Sequence, residues 1–87
     1  VIDLKTISTS PGCYIFRNKD KEIIYIGKAI NLKKRVTQYF KSGDALGPKT
    51  KTLVSQIKSI ETKIVKSEIE ALILESSLIK KYKPKYN

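Results

Sequence analysis

Eighty-seven residues, 40% of them hydrophobic, allow one small domain with a modest core and exclude a disordered tail. One cysteine and no histidine leave no internal disulfide and nearly exclude a structural zinc, and no apolar stretch approaches the length of a membrane span. Eighteen Lys and Arg against eight acids give a net charge of +10, the balance of a chain that meets nucleic acid or an anionic membrane surface.

The chain begins VIDLKTISTS, which lacks both the basic-then-apolar layout of a signal peptide and an initiator Met. The expectation is an excised piece of a longer protein, with residues 1–10 an irregular lead-in and residues 11–87 the domain. Pro11-Gly12 punctuates a turn. Residues 13–17 and 22–27, rich in Ile, Tyr and Phe, read as two strands around the polar turn Asn18-Lys19-Asp20-Lys21. Symmetric pairing sets Arg17 opposite Glu22 and Tyr14 opposite Tyr25, two phenols on one face. Cys13 reads as a small buried hydrophobe.

A helix follows over 31–41. Asn31 is a credible N-cap, and Leu32, Val36, Tyr39 and Phe40 recur as one apolar stripe. Lys33 and Lys34 point away from that stripe, and Arg35 and Tyr39 are i, i+4 neighbours. Residues 41–47 read as a loop, and Pro48 opens the next helix. Around Ile60 the period changes from helical to two, giving a third strand over 60–65. Ser67 and Glu70 form a capping box for the longest helix, about 67–82, which Pro84 stops. The order is strand, strand, helix, helix, strand, helix: a small α/β sandwich.

One carboxylate is out of place. Ala71, Leu72, Leu78 and Ile79, the residues three and four away from Glu75, are all apolar. An unpaired carboxylate on a buried stripe is costly. Glu75 is therefore either salt-bridged to a Lys or Arg of the sheet, or it is a metal ligand or acid–base group lining a cleft. A hard oxygen ligand of this kind suits Mg²⁺ or Mn²⁺, which take few protein carboxylates and keep several waters.

Without histidine, a general base must be Tyr, Lys, Glu or metal-activated water. Tyrosine is protonated at neutral pH unless a cation such as Lys28 or a metal lowers its pKa. Arg35, one of two arginines, has the planar fork that grips phosphate. These parts fit metal-assisted phosphodiester hydrolysis. A basic module that only binds nucleic acid would not need Glu75 at an apolar position, and a membrane-surface domain would need a cleaner amphipathic helix than 31–41.

Gly12-Cys13-Tyr14 followed by Tyr25-Ile26-Gly27 resembles the signature of the GIY-YIG nucleases, with Cys13 in place of the middle Ile. Lys28-Ala29, Leu32 with Arg35, the run Glu70 to Glu75, Leu78-Ile79-Lys80-Lys81 and Pro84-Lys85-Tyr86-Asn87 resemble the UvrC branch of that family, over about residues 10 to 87. A nuclease of another branch of that family, homing or structure-specific, is the alternative reading. The resemblance implies an α+β fold with a three-stranded antiparallel sheet flanked by helices. It implies Tyr25 as general base or its close partner with Tyr14 beside it, Glu75 as sole protein ligand of one Mg²⁺ or Mn²⁺ ion, and Arg35 as stabiliser of the transition state. Lys28 and Tyr39 would position phosphate and water, Asn87 would complete the site from the chain's end, and Lys28, Lys33, Lys34 and Arg35 would contact DNA. The implied task is a nick in one strand, 3′ to a lesion in damaged double-stranded DNA, with UvrB as partner, in the bacterial cytoplasm, by a domain that is monomeric alone. The family's UvrB-contacting segment and second nuclease are expected outside this stretch.

Overall fold

In a computed structural model, residues 2–41 and 46–87 are described; the middle of the expected 41–47 loop lies outside them. The elements are β1 (Gly12–Arg17), β2 (Ile23–Ala29), α1 (Leu32–Lys41), α2 (Pro48–Gln56), β3 (Ser59–Ile64) and α3 (Glu68–Tyr82). The order is that expected from periodicity. The sheet is antiparallel with strand order β2-β1-β3, so β1 is central and buried throughout Gly12–Phe16. The lead-in is not wholly irregular: Leu4–Thr6 form one 3-10 turn capped by Asp3. Ser8 and Ser10 then accept backbone hydrogen bonds from Lys33 and Leu32, which ties the lead-in to the start of α1.

Helix ends follow the sequence signals. The Asn31 side chain accepts from the Lys34 amide at 3.0 Å, and Pro48 sits in the first turn of α2. Ser67 accepts from the Glu70 amide at 3.2 Å, whereas Glu70 reaches back to the Lys66 amide at 3.4 Å, one residue earlier than a capping box requires. Lys83 closes α3 in the left-handed region, φ 44°, donating to the Ile79 carbonyl, and Pro84 follows.

The hairpin register differs from symmetric pairing. Tyr14 faces Gly27, Ile15 faces Ile26, Phe16 faces Tyr25 and Arg17 faces Ile23. Two causes add. The turn closes one residue later than expected, because the Asn18 side chain accepts from the Asp20 and Glu22 amides while Lys21 adopts φ 65°. A bulge between Phe16 and Arg17 then inserts one more residue on β2. A slip of one would have put the tyrosines on opposite faces; a slip of two restores them to the same face. Their ring centroids lie 6.2 Å apart, diagonal rather than directly opposed.

The two faces of the sheet carry different cores. Tyr14, Phe16 and Ile24 pack with Leu32, Val36 and Tyr39 of α1 and with Leu53 and Ile57 at α2. On the other face the Cys13 thiol points at the Ala71 carbonyl of α3, 3.3 Å away. Each fully buried side chain of this kind is worth roughly 1.5–3 kcal/mol. The stripe around Glu75 is less buried than the sequence suggests. Ala71 is buried, Leu78 and Ile79 are half-buried, and Leu72 is 50% exposed. Ile69 and Ile73 lie further out at 69% and 65%. The sheet is only three strands wide, so much of the apolar surface of α3 stays outside the core.

Gly27 is set by a close approach. A Cβ built there would stand 2.2 Å from both Cζ and the hydroxyl oxygen of Tyr14. Gly27→Ala is expected to displace that ring and cost about 1–3 kcal/mol. Urea unfolding of the variant checks this, and an unchanged midpoint would show that Tyr14 does not depend on that space.

Candidate active site

Three tyrosines from three elements meet above β1 and β2. Tyr14 comes from β1, Tyr25 from β2 and Tyr39 from α1. The Tyr14 and Tyr39 hydroxyls share a hydrogen bond of 2.9 Å, and Tyr25 stands 6.2 Å, ring to ring, from each of the other two. Tyr14 and Tyr39 are 1% and 6% exposed, so Tyr25 is the phenol of the three that solvent reaches best. The Arg35 guanidinium, one turn before Tyr39 on α1, lies 5.4 Å from the centre of the Tyr39 ring. The sequence pairing of Arg35 with Tyr39 is thus present in space.

Burial pushes all three phenols up. It is the leading cause for Tyr25, raised to about 12, with the neighbouring Tyr39 next. Tyr39 is likewise raised to about 12 by burial and then by its hydrogen bond with Tyr14. Burial also raises Tyr14, against the pull of its bonds to Tyr39 and Arg35. Arg35 is the cation that lowers each of the three. The expectation that Lys28 would do this is corrected by strand alternation. Lys28 faces Cys13 across the hairpin, so it shares the α3 face of the sheet and acts on the Cys13 thiol. That thiol is itself raised to about 11, chiefly by burial and then by Glu75, which makes it a poor nucleophile.

Glu75 is half-buried on α3, near enough to raise both Cys13 and Tyr25 through its charge. Among the described residues it makes no ion pair and no side-chain hydrogen bond, so the salt-bridge alternative is not what the fold provides. Among the described residues the bridged acid is Glu61, held below the usual carboxylate range by its bond to Arg17 at 2.5 Å. Among the described residues no three His, Cys, Asp or Glu converge. An ion at Glu75 would therefore take one protein carboxylate and complete its shell with water, as Mg²⁺ and Mn²⁺ accept. The donor set fits such an ion.

Asn87 arrives from the far end of the chain. Its amide donates to the Ile26 carbonyl at 2.8 Å and accepts from the Ile26 amide at 2.9 Å, so the side chain pairs with the outer edge of β2 as a strand residue would. The Tyr86 amide donates to the Ile24 carbonyl at 2.9 Å, and the Tyr86 hydroxyl accepts from Gln56 of α2 at 2.9 Å. These contacts bracket Tyr25. Sequence reasoning placed Asn87 but missed Tyr86 and Gln56, because nothing local to either residue signals a contact 30 residues apart.

A cavity of about 400 Å³ between α1 and the start of α3 is walled by Lys28, Asn31, Lys34, Arg35 and Glu68 among others. Lys33 lies outside it, in a shallower groove on the outer side of α1 that it shares with Lys34 and Lys41. The expected DNA-contacting set is therefore split: Lys28, Lys34 and Arg35 converge, and Lys33 does not join them.

An antiparallel three-stranded sheet in this element order, with paired phenols from the first hairpin and the carboxylate of Glu75 in the middle of the last helix, defines a GIY-YIG domain. The UvrC-like GIY-YIG domain model matches residues 10–87, and the chain belongs to that family. It is 54% identical over 86 residues to UvrABC system protein C of Methanospirillum hungatei, covering 99% of this chain and 16% of that protein. It is 51% identical over 87 residues to the protein of the same name from Methanococcus maripaludis, again covering 16% of it. The chain thus spans about a sixth of the length of these relatives. Among solved structures it is similar to the GIY-YIG N-terminal endonuclease domain of UvrC from Thermotoga maritima, bound to its catalytic divalent cation, magnesium. The TM-score is 0.85 at 42% identity, over 97% of this chain and 90% of that one.

The raised phenols have a readable consequence. The folded protein holds these protons more tightly than the unfolded chain, whose tyrosines titrate near 10. The linked stability is fully present below pH 10 and is lost as pH rises through about 12. A spectrophotometric titration is expected to show late-ionising tyrosines, with one such step missing in Tyr39→Phe. Ionisation of every tyrosine near pH 10 would contradict the buried cluster.

Proposed function

We propose that this chain is a metal-dependent endonuclease domain that hydrolyses a DNA phosphodiester, nicking one strand 3′ to a lesion in nucleotide excision repair. The observation that carries this is Glu75, a carboxylate without a protein partner among the described residues, set beside a phenol cluster under a single guanidinium. The net charge of +10 and the cavity lined by Lys28, Lys34 and Arg35 supply the attraction that a polyanion needs.

A divalent ion held by Glu75 supplies Lewis-acid stabilisation of charge on the phosphate. The rest falls to side chains. Arg35 grips the phosphate oxygens with its fork and holds the charge that develops on them. Tyr25, the accessible phenol, orients the attacking water and, as the phenolate, accepts its proton, or it acts as close partner of the base. The Tyr14–Tyr39 bond fixes the two flanking rings, so that Tyr25 and Arg35 keep one geometry. Lys28 steers the strand from the cavity beside α1, Lys34 from the same wall, and Lys33 from the outer groove. Asn87 holds the β2 edge on which Tyr25 stands.

Similarity to the Thermotoga maritima domain, whose catalytic cation is magnesium, supports Mg²⁺ as the working ion, with Mn²⁺ as substitute. Relatives named UvrABC system protein C support a place in a UvrABC system that acts on DNA; damaged double-stranded DNA as substrate, delivery by UvrB and a monomeric domain are parts of the proposal. Among the described residues no helix is long and apolar enough to cross a membrane, and cytoplasmic action is part of the proposal.

Glu75→Gln is expected to abolish metal-dependent nicking while the thermal unfolding midpoint stays put. Arg35→Ala is expected to cost about 10²–10³ in kcat with a smaller change in DNA affinity. Tyr25→Phe should also lose rate more than binding. Nicking of a lesion-bearing duplex, assayed with and without Mg²⁺, reads all three. Normal cleavage by Glu75→Gln would sink the metal-site assignment, and Arg35→Ala that only weakens binding would make Arg35 a docking residue.

A further inference from the structure

The phenol cluster has a second concavity on its far side. A cavity of about 200 Å³ is walled by Tyr25, Tyr39, Lys49, Thr50, Leu53 and Tyr86. It shares two walls with the candidate active site, yet none with the cavity that holds Lys28, Lys34 and Arg35. Its chemistry is mixed in a specific way. Lys49 is exposed and makes no ion pair among the described residues, so its ammonium is available to an outside anion. Thr50 adds a hydroxyl, while Leu53 and the aromatic rings offer apolar surface. An ammonium and a hydroxyl beside an apolar wall suit a phosphodiester whose sugar lies against that wall. α2 governs both sides of the cavity, because Lys49 stands in its first turn and Gln56 near its end holds the Tyr86 hydroxyl at 2.9 Å.

We propose that this cavity is a binding subsite for the phosphodiester flanking the scissile one, with Lys49 contacting its oxygens and Tyr86 and Leu53 backing its sugar. A DNA strand would then cross the phenols with a cation on either side, Arg35 and Lys28 on one and Lys49 on the other. Two grips on one strand fix the position of the bond between them, which a single cationic patch does not. The proposal rests on the reading of the site as a DNA nuclease, and it adds residues to which no role was given from the sequence.

The test compares Lys49→Ala, Lys49→Arg and, as a control of equal charge change, Lys19→Ala at the hairpin turn. Binding to a short fluorescein-labelled DNA duplex in Ca²⁺ is followed by anisotropy over a range of salt, and nicking in Mg²⁺ gives KM and kcat. Lys49→Ala is expected to weaken binding roughly three- to tenfold, to lower the salt slope by about 0.9, and to raise KM more than it lowers kcat. Lys49→Arg should restore most of the affinity, and Lys19→Ala should change little. Nuclear magnetic resonance with the thymidine dinucleotide pTpT should also shift the Lys49, Thr50 and Tyr86 amides. Lys49→Ala indistinguishable from Lys19→Ala, or pTpT shifts confined to Lys28, Lys34 and Arg35, would overturn the subsite and leave the nuclease reading standing. Glu75→Gln tests that reading separately, and a wild-type chain that binds no DNA would bring down both.

Discussion

The ring of Tyr14 occupies the space that a side chain at Gly27 would need, and most of the site's geometry depends on that contact. It requires a register in which these two residues face each other across the hairpin. Once Tyr14 is seated there, its hydroxyl reaches Tyr39 and ties the central strand to α1. One turn earlier on the same helix, Arg35 is thereby brought over the cluster. Tyr14, Tyr25, Tyr39 and Arg35 come from three elements, yet a single missing Cβ lets them meet. A glycine here is a packing requirement, since its backbone is ordinary strand and only the approach of a neighbouring ring excludes a larger residue.

The second constraint is the outer edge of β2. An edge strand exposes unpaired amides and carbonyls, which cost little in water but leave the strand free to fray. The chain's last two residues cover that edge, one through its backbone and one through a side-chain amide that mimics a peptide group. Because Tyr25 lies between the two anchor points Ile24 and Ile26, the tail holds the phenol of the cluster that solvent reaches best. Gln56 then links the tail to α2, so a helix with few contacts to the sheet still takes part in placing the site.

Much of this was legible in the sequence where the signal is local. Asn31, Ser67 and Pro48 mark helix starts because capping and N-terminal proline act within one turn, and the change of period near Ile60 marks a strand because side-chain alternation is intrinsic to it. Glu75 stood out because every neighbour on its helical face is apolar. The parts that were not legible are those set by geometry across the chain. The hairpin slipped by two, through the Asn18 turn and a bulge, and the tyrosines kept a common face only because two slips cancel in parity. Lys28 stands three residues after Tyr25 on the same strand, so alternation turns it to the opposite face and leaves Arg35 as the cation over the phenols. The α3 stripe looked fully buried, because sequence shows which face of a helix is apolar but not how wide a sheet will meet it.

A chain without histidine must handle protons with groups that titrate far from neutrality, and burial of the cluster makes the mismatch larger. A phenol raised to about 12 is a donor at neutral pH, able to orient a water but reluctant to take its proton. Arg35 lowers it, burial outweighs that pull, and Glu75 pushes the other way. Glu75 is the smallest of these influences, so a cation on that carboxylate would lower the Tyr25 pKa while leaving in place the burial that dominates it. A phenolate at Tyr25 would need the pull of Arg35 and of a cation together, because burial, the largest influence on this phenol, stays whether or not the carboxylate is occupied.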